Sequence, residues 1–150
     1  MASIEFLFLA NHAEVQNGLL YASGAGWSEM FRVVPDQEGQ PSPTNHFAIA
    51  TSVLVPWEDT NQFHLLTISI EQDGDGPQLV RAEVGIEVGR PPGLPAGTDQ
   101  RAVFALPVDL TFPEQGSYRV VAEVGEDARS VSFRVHDQPM PRLPERIQRE

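Results

Sequence analysis

The chain has 150 residues, no cysteine and a formal net charge of −11. The length suits one domain with a core large enough to fold without staples. The absence of cysteine excludes disulfides and thiolate metal sites, and fits a reducing cytosol. The acidic balance, with no run of basic residues, excludes a nucleic-acid phosphate face and disfavours anionic lipid. All ten basic residues are arginine.

Ile4 to Ala10 is apolar on both parities apart from Glu5. It is too short for a membrane span and lacks the basic start of a secretory leader, so a cytoplasmic protein is expected. Such a strand is either central or covered on its second side by another segment or subunit. Asn17-Gly18 is a hairpin turn pair, because both residues accept positive φ, and Leu19 to Ala22 is the returning strand. Gly24-Ala25-Gly26 permits a bend. Trp27, Glu29, Phe31 and Val33 share a parity, which predicts two aromatics and a valine facing inward.

Pro35 to Asn45 reads as a loop. Phe47, Ile49, Val53 and Val55 mark a strand that Pro56 stops. Trp57 to Gln62 is a polar loop with one large aromatic. Leu66, Ile68 and Ile70 mark the next strand, and Asp73 to Pro77 a turn. Val80, Ala82, Val84, Ile86 and Val88 are in phase. Gly89 to Gly97 is a loop of glycines and prolines. Ala102, Phe104, Leu106, Val108, Leu110 and Phe112 form the longest series of one parity. Pro107 lies on the other parity, and having no N–H it predicts an edge position or a bulge.

The clearest signal is the last strand pair. Tyr118, Val120, Ala122 and Val124 alternate with polar neighbours, turn at Gly125 to Ala128, and return as Val131, Phe133 and Val135. This is the pattern of a half-buried antiparallel hairpin. Gly116-Ser117-Tyr118 is the entry expected of a penultimate sandwich strand, whose tyrosine hydroxyl ties down the preceding corner. With no helical period in any window, the expected fold is all-β. It is a single antiparallel β-sandwich of eight or nine strands, an immunoglobulin-like Greek key over residues 1–137. Residues 138–150 lose the alternation, carry three of the arginines and several prolines, and read as an extended Pro/Arg tail.

Several short stretches, in order, resemble a family of small uncharacterised bacterial proteins, a domain of unknown function. They are Leu9-Ala10-Asn11-His12-Ala13-Glu14, Gly18-Leu19-Leu20, Gly24-Ala25-Gly26-Trp27, and Val55-Pro56-Trp57 with Asn61 and His64. Asp73-Gly74-Asp75-Gly76, Gly89-Arg90-Pro91, Gly116-Ser117-Tyr118 and Phe133-Arg134-Val135 complete the set. The resemblance implies a compact immunoglobulin-like β domain. It implies no activity, cofactor or catalytic residue.

The residues offer few constellations for chemistry. No serine sits in a nucleophile-elbow sequence, and no serine and histidine are locally paired. Asp73 and Asp75 have the carboxylate density a calcium ion takes, with Glu58 and Asp59 as acids from a second loop. The calcium-loop spacing fails at Pro77 and Val84, so a plain turn is the simpler reading. The four histidines have no metal-pair spacing. Trp57, beside Glu58, Asp59 and Asn61, either anchors a partner or a sugar, or folds back to plug the end of the sandwich. Arg90 either grips a carboxylate ligand or pairs with a neighbouring acid. His64 and Asn61 near Glu58 are where a pocket would matter. The expected function is a non-catalytic protein-interaction module without cofactor, self-associating, with a homodimer as one form. The alternative is a ligand-binding sandwich, with calcium at residues 73–76 or a glycan on a loop tryptophan.

Overall fold

The computed structural model describes residues 1–74 and 76–140. The tail beyond Met140 and Asp75 lie outside the described residues. Nine strands run through the described chain: β1 (Ser3–Gln16), β2 (Leu19–Ala25), β3 (Glu29–Val34), β4 (Asn45–Val55), β5 (His64–Gln72), β6 (Gln78–Ile86), β7 (Gln100–Leu110), β8 (Gly116–Val124) and β9 (Asp127–Pro139). One 3₁₀ turn, Trp57–Asp59, joins β4 to β5. No helix among the described residues is long and apolar enough to cross a membrane.

The strands form two sheets, ordered β2-β1-β4-β7 and β3-β9-β8-β5-β6. They share one core, to which Leu9, Ile49 and Val53 contribute from the first sheet and Leu66, Ile70, Val120 and Phe133 from the second. The aromatic residues concentrate at one end of it. Phe112 and Tyr118 lie 4.9 Å apart, and Trp27 meets Phe47 and Phe133 edge-on at 5.8 and 6.0 Å. Such pairs add to the stabilisation from burial alone.

The last hairpin forms as its alternation requires. Tyr118, Val120, Ala122 and Val124 are buried, as are Phe133 and Val135 of the returning strand, with Tyr118 opposite Phe133 and Val120 opposite Val131. Gly125 takes φ 57° between Val124 and Asp127, which face each other across the turn. The Tyr118 hydroxyl donates to the Glu114 carbonyl at 2.5 Å, closing the corner before β8. Burial raises that hydroxyl's pKa above its ordinary value. Asn17 and Gly18, at φ 50° and 75°, make the tight turn between β1 and β2. β7 is an edge strand, so Pro107 leaves no interior ladder bond unmade.

Three expectations need correction. The sandwich is not wholly antiparallel: β3 runs parallel to β9, Glu29 against Arg134 through Val34 against Pro139. The chain crosses between sheets at Gly26-Trp27-Ser28, and β3 docks on the free side of β9. Neighbours brought together by a crossover leave no mark in a strand's own alternation. Second, Trp27 is inward but Phe31 is not: Phe31 is 57 % exposed, while Met30 packs on the core. Trp27 and Ser28 belong to no strand, so the phase is reset between Trp27 and the start of β3 at Glu29. Arg32 takes the inward position instead, held by Asp137 at 2.9 Å and donating to the Phe112 carbonyl at 3.0 Å. Third, β9 continues to Pro139, two residues past the expected boundary at 137, because β3 pairs with it there.

Candidate functional site

Most of the side chains singled out from the sequence meet at one end of the sandwich. β4 stops at Pro56, and one 3₁₀ turn brings Thr60 back on Trp57, its hydroxyl donating to the Trp57 carbonyl at 2.7 Å. Asn61, in the left-handed region at φ 58°, then donates its N–H to Val88 at 2.7 Å. Arg90 comes from the loop after β6 and closes over this turn. Its Nε donates to Thr60 Oγ1 at 2.7 Å and its Nη2 to the Trp57 carbonyl at 2.8 Å. The guanidinium carbon stands 4.1 Å from the Trp57 ring centroid, a cation–π contact. The partner found for Arg90 is therefore a tryptophan face, a carbonyl and a hydroxyl, not the neighbouring acid expected.

His64 Nε2 donates to the Asp59 carbonyl at 2.8 Å, and the Asp59 carboxylate receives the Met1 amino group at 2.7 Å. That bond raises the amine's pKa above its ordinary value. Glu58 enters only through its carbonyl, which accepts from Gln62 at 3.2 Å. Trp57, Asp59, Asn61, His64 and Arg90 are thus gathered, but as a staple. The polar groups of this turn mainly satisfy backbone atoms, and Arg90 takes one face of the indole. The arrangement fixes the β4–β5 connection.

The Asp73 turn is separate. The Asp73 N–H donates to Ser117 at 2.9 Å, and Gly74 takes φ 80°. Glu58 and Asp59 precede β5 while Asp73 follows it, so about 26 Å of strand lies between them. They cannot complete a calcium site with Asp73, a correction of that expectation. Asp75 lies outside the described residues. Among the described residues no three histidines or carboxylates converge on a metal position. The histidines are dispersed: His46 meets Asp109, His64 a carbonyl, and His136 lies 3.6 Å from Glu29.

The outer faces of the two sheets offer more. On the four-stranded sheet, Ala13, Ala48 and Ala50 form a second buried cluster apart from the core, with Phe8, Leu20 and Ala105 packed against it. Phe6 and Phe8 stack at 5.5 Å on β1. The register explains the floor: Phe8 faces Ala50, Ala50 faces Ala105, and Ala48 faces Pro107. Alanines on the central strand leave room for the two phenylalanine rings to lie across the sheet. Polar pairs close both ends. At one, Arg101 grips Glu5 through two guanidinium nitrogens while Ser52 donates to Glu5 at 3.1 Å. The Arg101 guanidinium, opposed by desolvation and helped by Ser52, holds the Glu5 carboxyl below its ordinary value. At the other end His46 meets Asp109. An apolar centre with a polar rim is the anatomy of a protein–protein interface.

The five-stranded sheet turns a different face outward. Arg119 pairs with Glu71, and Arg81 with Glu83 at 3.2 Å. Thr67, Ser69 and Ser130 fill the space between, around an open depression of about 270 Å³.

The apolar character of β1 was readable from the sequence. That of β4 was not assigned to a second face, although Phe47-Ala48-Ile49-Ala50 is apolar on both parities and carried the signal.

A family model described as a family of unknown function, DUF6941, matches residues 5–136. No curated protein matches the chain.

Proposed function

The chain belongs to the DUF6941 family of unknown function, and on that footing we propose that it is a non-catalytic, self-associating protein-interaction module. We read the fold as an immunoglobulin-like Greek key, a reading supported by the Tyr118 corner before β8, and the site of action as the cytoplasm. The observation that carries the function is the second apolar cluster, on the outer face of the four-stranded sheet.

Two properties of that face support the reading. Four strands at about 4.8 Å spacing, over roughly eight residues, give a patch of about 500 Å² in plan. Its floor, Ala13, Ala48 and Ala50, is buried, and Phe6, Phe8 and Leu20 are the half-buried side chains it presents at the surface. The patch is also framed by polar pairs, Glu5 with Arg101 and His46 with Asp109, which set register and discourage wrong partners at a contact whose centre is apolar.

The test is light scattering coupled to size exclusion across micromolar concentrations, at low and high salt. A mass above the monomer is expected, and an apolar contact holds it as salt rises. Replacing Leu20→Ser, which belongs to the cluster, with circular dichroism to confirm the fold, is expected to weaken association at least tenfold. A parent protein that stays monomeric throughout removes the proposal.

A further inference from the structure

Two sheets leave four edges, and three of them carry the devices that stop edge strands from pairing. β7 has Pro107 at its middle, with Arg101 and Asp109 on the same parity. β6 has Arg81 and Glu83. β3 is six residues long and carries Glu29 and the inward Arg32. β2 has none of these. Its seven residues include no charge and no proline, and no charged side chain occurs anywhere from Val15 to Ser28. Among the described residues no strand covers its outer side. Leu19 and Tyr21 are 60 % and 51 % exposed there. The left-handed Gly24, where a Cβ would collide with the Asn11 side chain, closes one end and leaves Leu19 to Ser23 as the open stretch.

We propose that β2 is the seam of the self-association inferred above, pairing antiparallel with β2 of a second copy so that two four-stranded sheets become one of eight. This rests on the self-association reading and specifies its geometry. Three arguments favour a second copy over an unrelated strand. An antiparallel edge is complementary to itself under a two-fold axis, so one surface serves both partners. Each copy carries a net charge of −11, and like charges brought face to face are costly. An edge without charged residues is where two such chains approach at least cost. Finally, Leu20 of β2 belongs to the outer apolar cluster. Pairing there sets the two apolar faces side by side across the seam.

The cysteine-free chain permits a direct test. Single cysteines are placed in turn at each position from Leu19 to Ser23, with Arg81→Cys on β6 as the control, and the variants are oxidised mildly. The residue nearest the two-fold axis faces its own copy at a disulfide-compatible distance. Cross-linked dimer is therefore expected to peak at one β2 position and to fall away on either side. The control is expected to cross-link at no more than a tenth of that yield. Separately, Leu19→Lys with Tyr21→Lys is expected to raise the dissociation constant at least tenfold without altering the circular dichroism. A parent that self-associates but cross-links at no β2 position, or no better there than at residue 81, overturns the seam and leaves the self-association reading standing. A monomeric parent overturns both.

Discussion

The outer faces of the two sheets are built from the same period-two pattern and solve opposite problems. On the five-stranded sheet the outward positions are Thr67, Ser69, Glu71, Arg81 and Arg119; Arg119 ties β8 to Glu71 of β5, and Arg81 pairs with Glu83 along β6. On the four-stranded sheet the outward positions include Ala48, Ala50 and Ala105 under Phe8 and Leu20, and Ala50 is fully buried. Solvent tolerates the first face as it stands. The second gains by being covered, since apolar area removed from water is stabilising in rough proportion to its size. A sheet covered by its partner on one side and still apolar on the other has a surface left over from folding.

The same substitution on the two faces tests this difference most severely. Ala50→Glu buries an unpaired carboxylate on the alanine floor and is expected to cost about 4 kcal/mol or more. Val121→Glu stands between Ser69 and Ser130 on the charged face and is expected to cost within about 1 kcal/mol. Urea denaturation of both measures the gap, and equal costs would erase the distinction. Tyr118→Phe removes the corner hydrogen bond but keeps the ring, so a loss of about 1 kcal/mol is expected by the same method. It belongs to the shared core and should leave the oligomer mass unchanged.

A smaller effect separates the rims. The Glu5 carboxyl is held below its ordinary value by Arg101. Its pairing therefore stabilises the fold above the usual carboxylate range, near pH 4.3. That contribution disappears as pH falls through the depressed value. Arg101→Gln is expected to flatten this part of the acid limb, read as melting temperature against pH from 6 to 3. An unchanged profile would mean that the pair only decorates the rim. Smallest of all is Arg119→Gln, which breaks a half-buried pair with Glu71. A change within about 1 kcal/mol and no shift in mass are expected.

Much of the architecture was legible before any coordinates. The β8–β9 hairpin and the Asn17-Gly18 turn each follow from a local rule, and a third rule limits the Pro107 strand to an edge or a bulge, of which the sheet order selects the edge. Alternation divides a strand into two faces, positive φ selects asparagine and glycine, and proline cannot donate to a ladder. The candidate site was legible as a set of residues but not as an arrangement. Trp57, Asp59, Asn61, His64 and Arg90 do gather. Yet Arg90 is separated from Trp57 by the whole of β5 and β6, and nothing local announces that it will close over the indole.

Composition, parity and turn chemistry thus determined that this is an all-β chain, where most strands begin and end, and which residues of each strand share a side. Tertiary structure alone decided which sheet each strand joins, that β3 runs parallel to β9, that Phe31 faces out and Arg32 in, and that an alanine floor under two phenylalanines forms a second apolar face. The reason is that a period of two labels both faces of a strand without naming the core. When both are apolar, as in β1 and β4, only the placement of the opposite sheet settles which one is buried in the core.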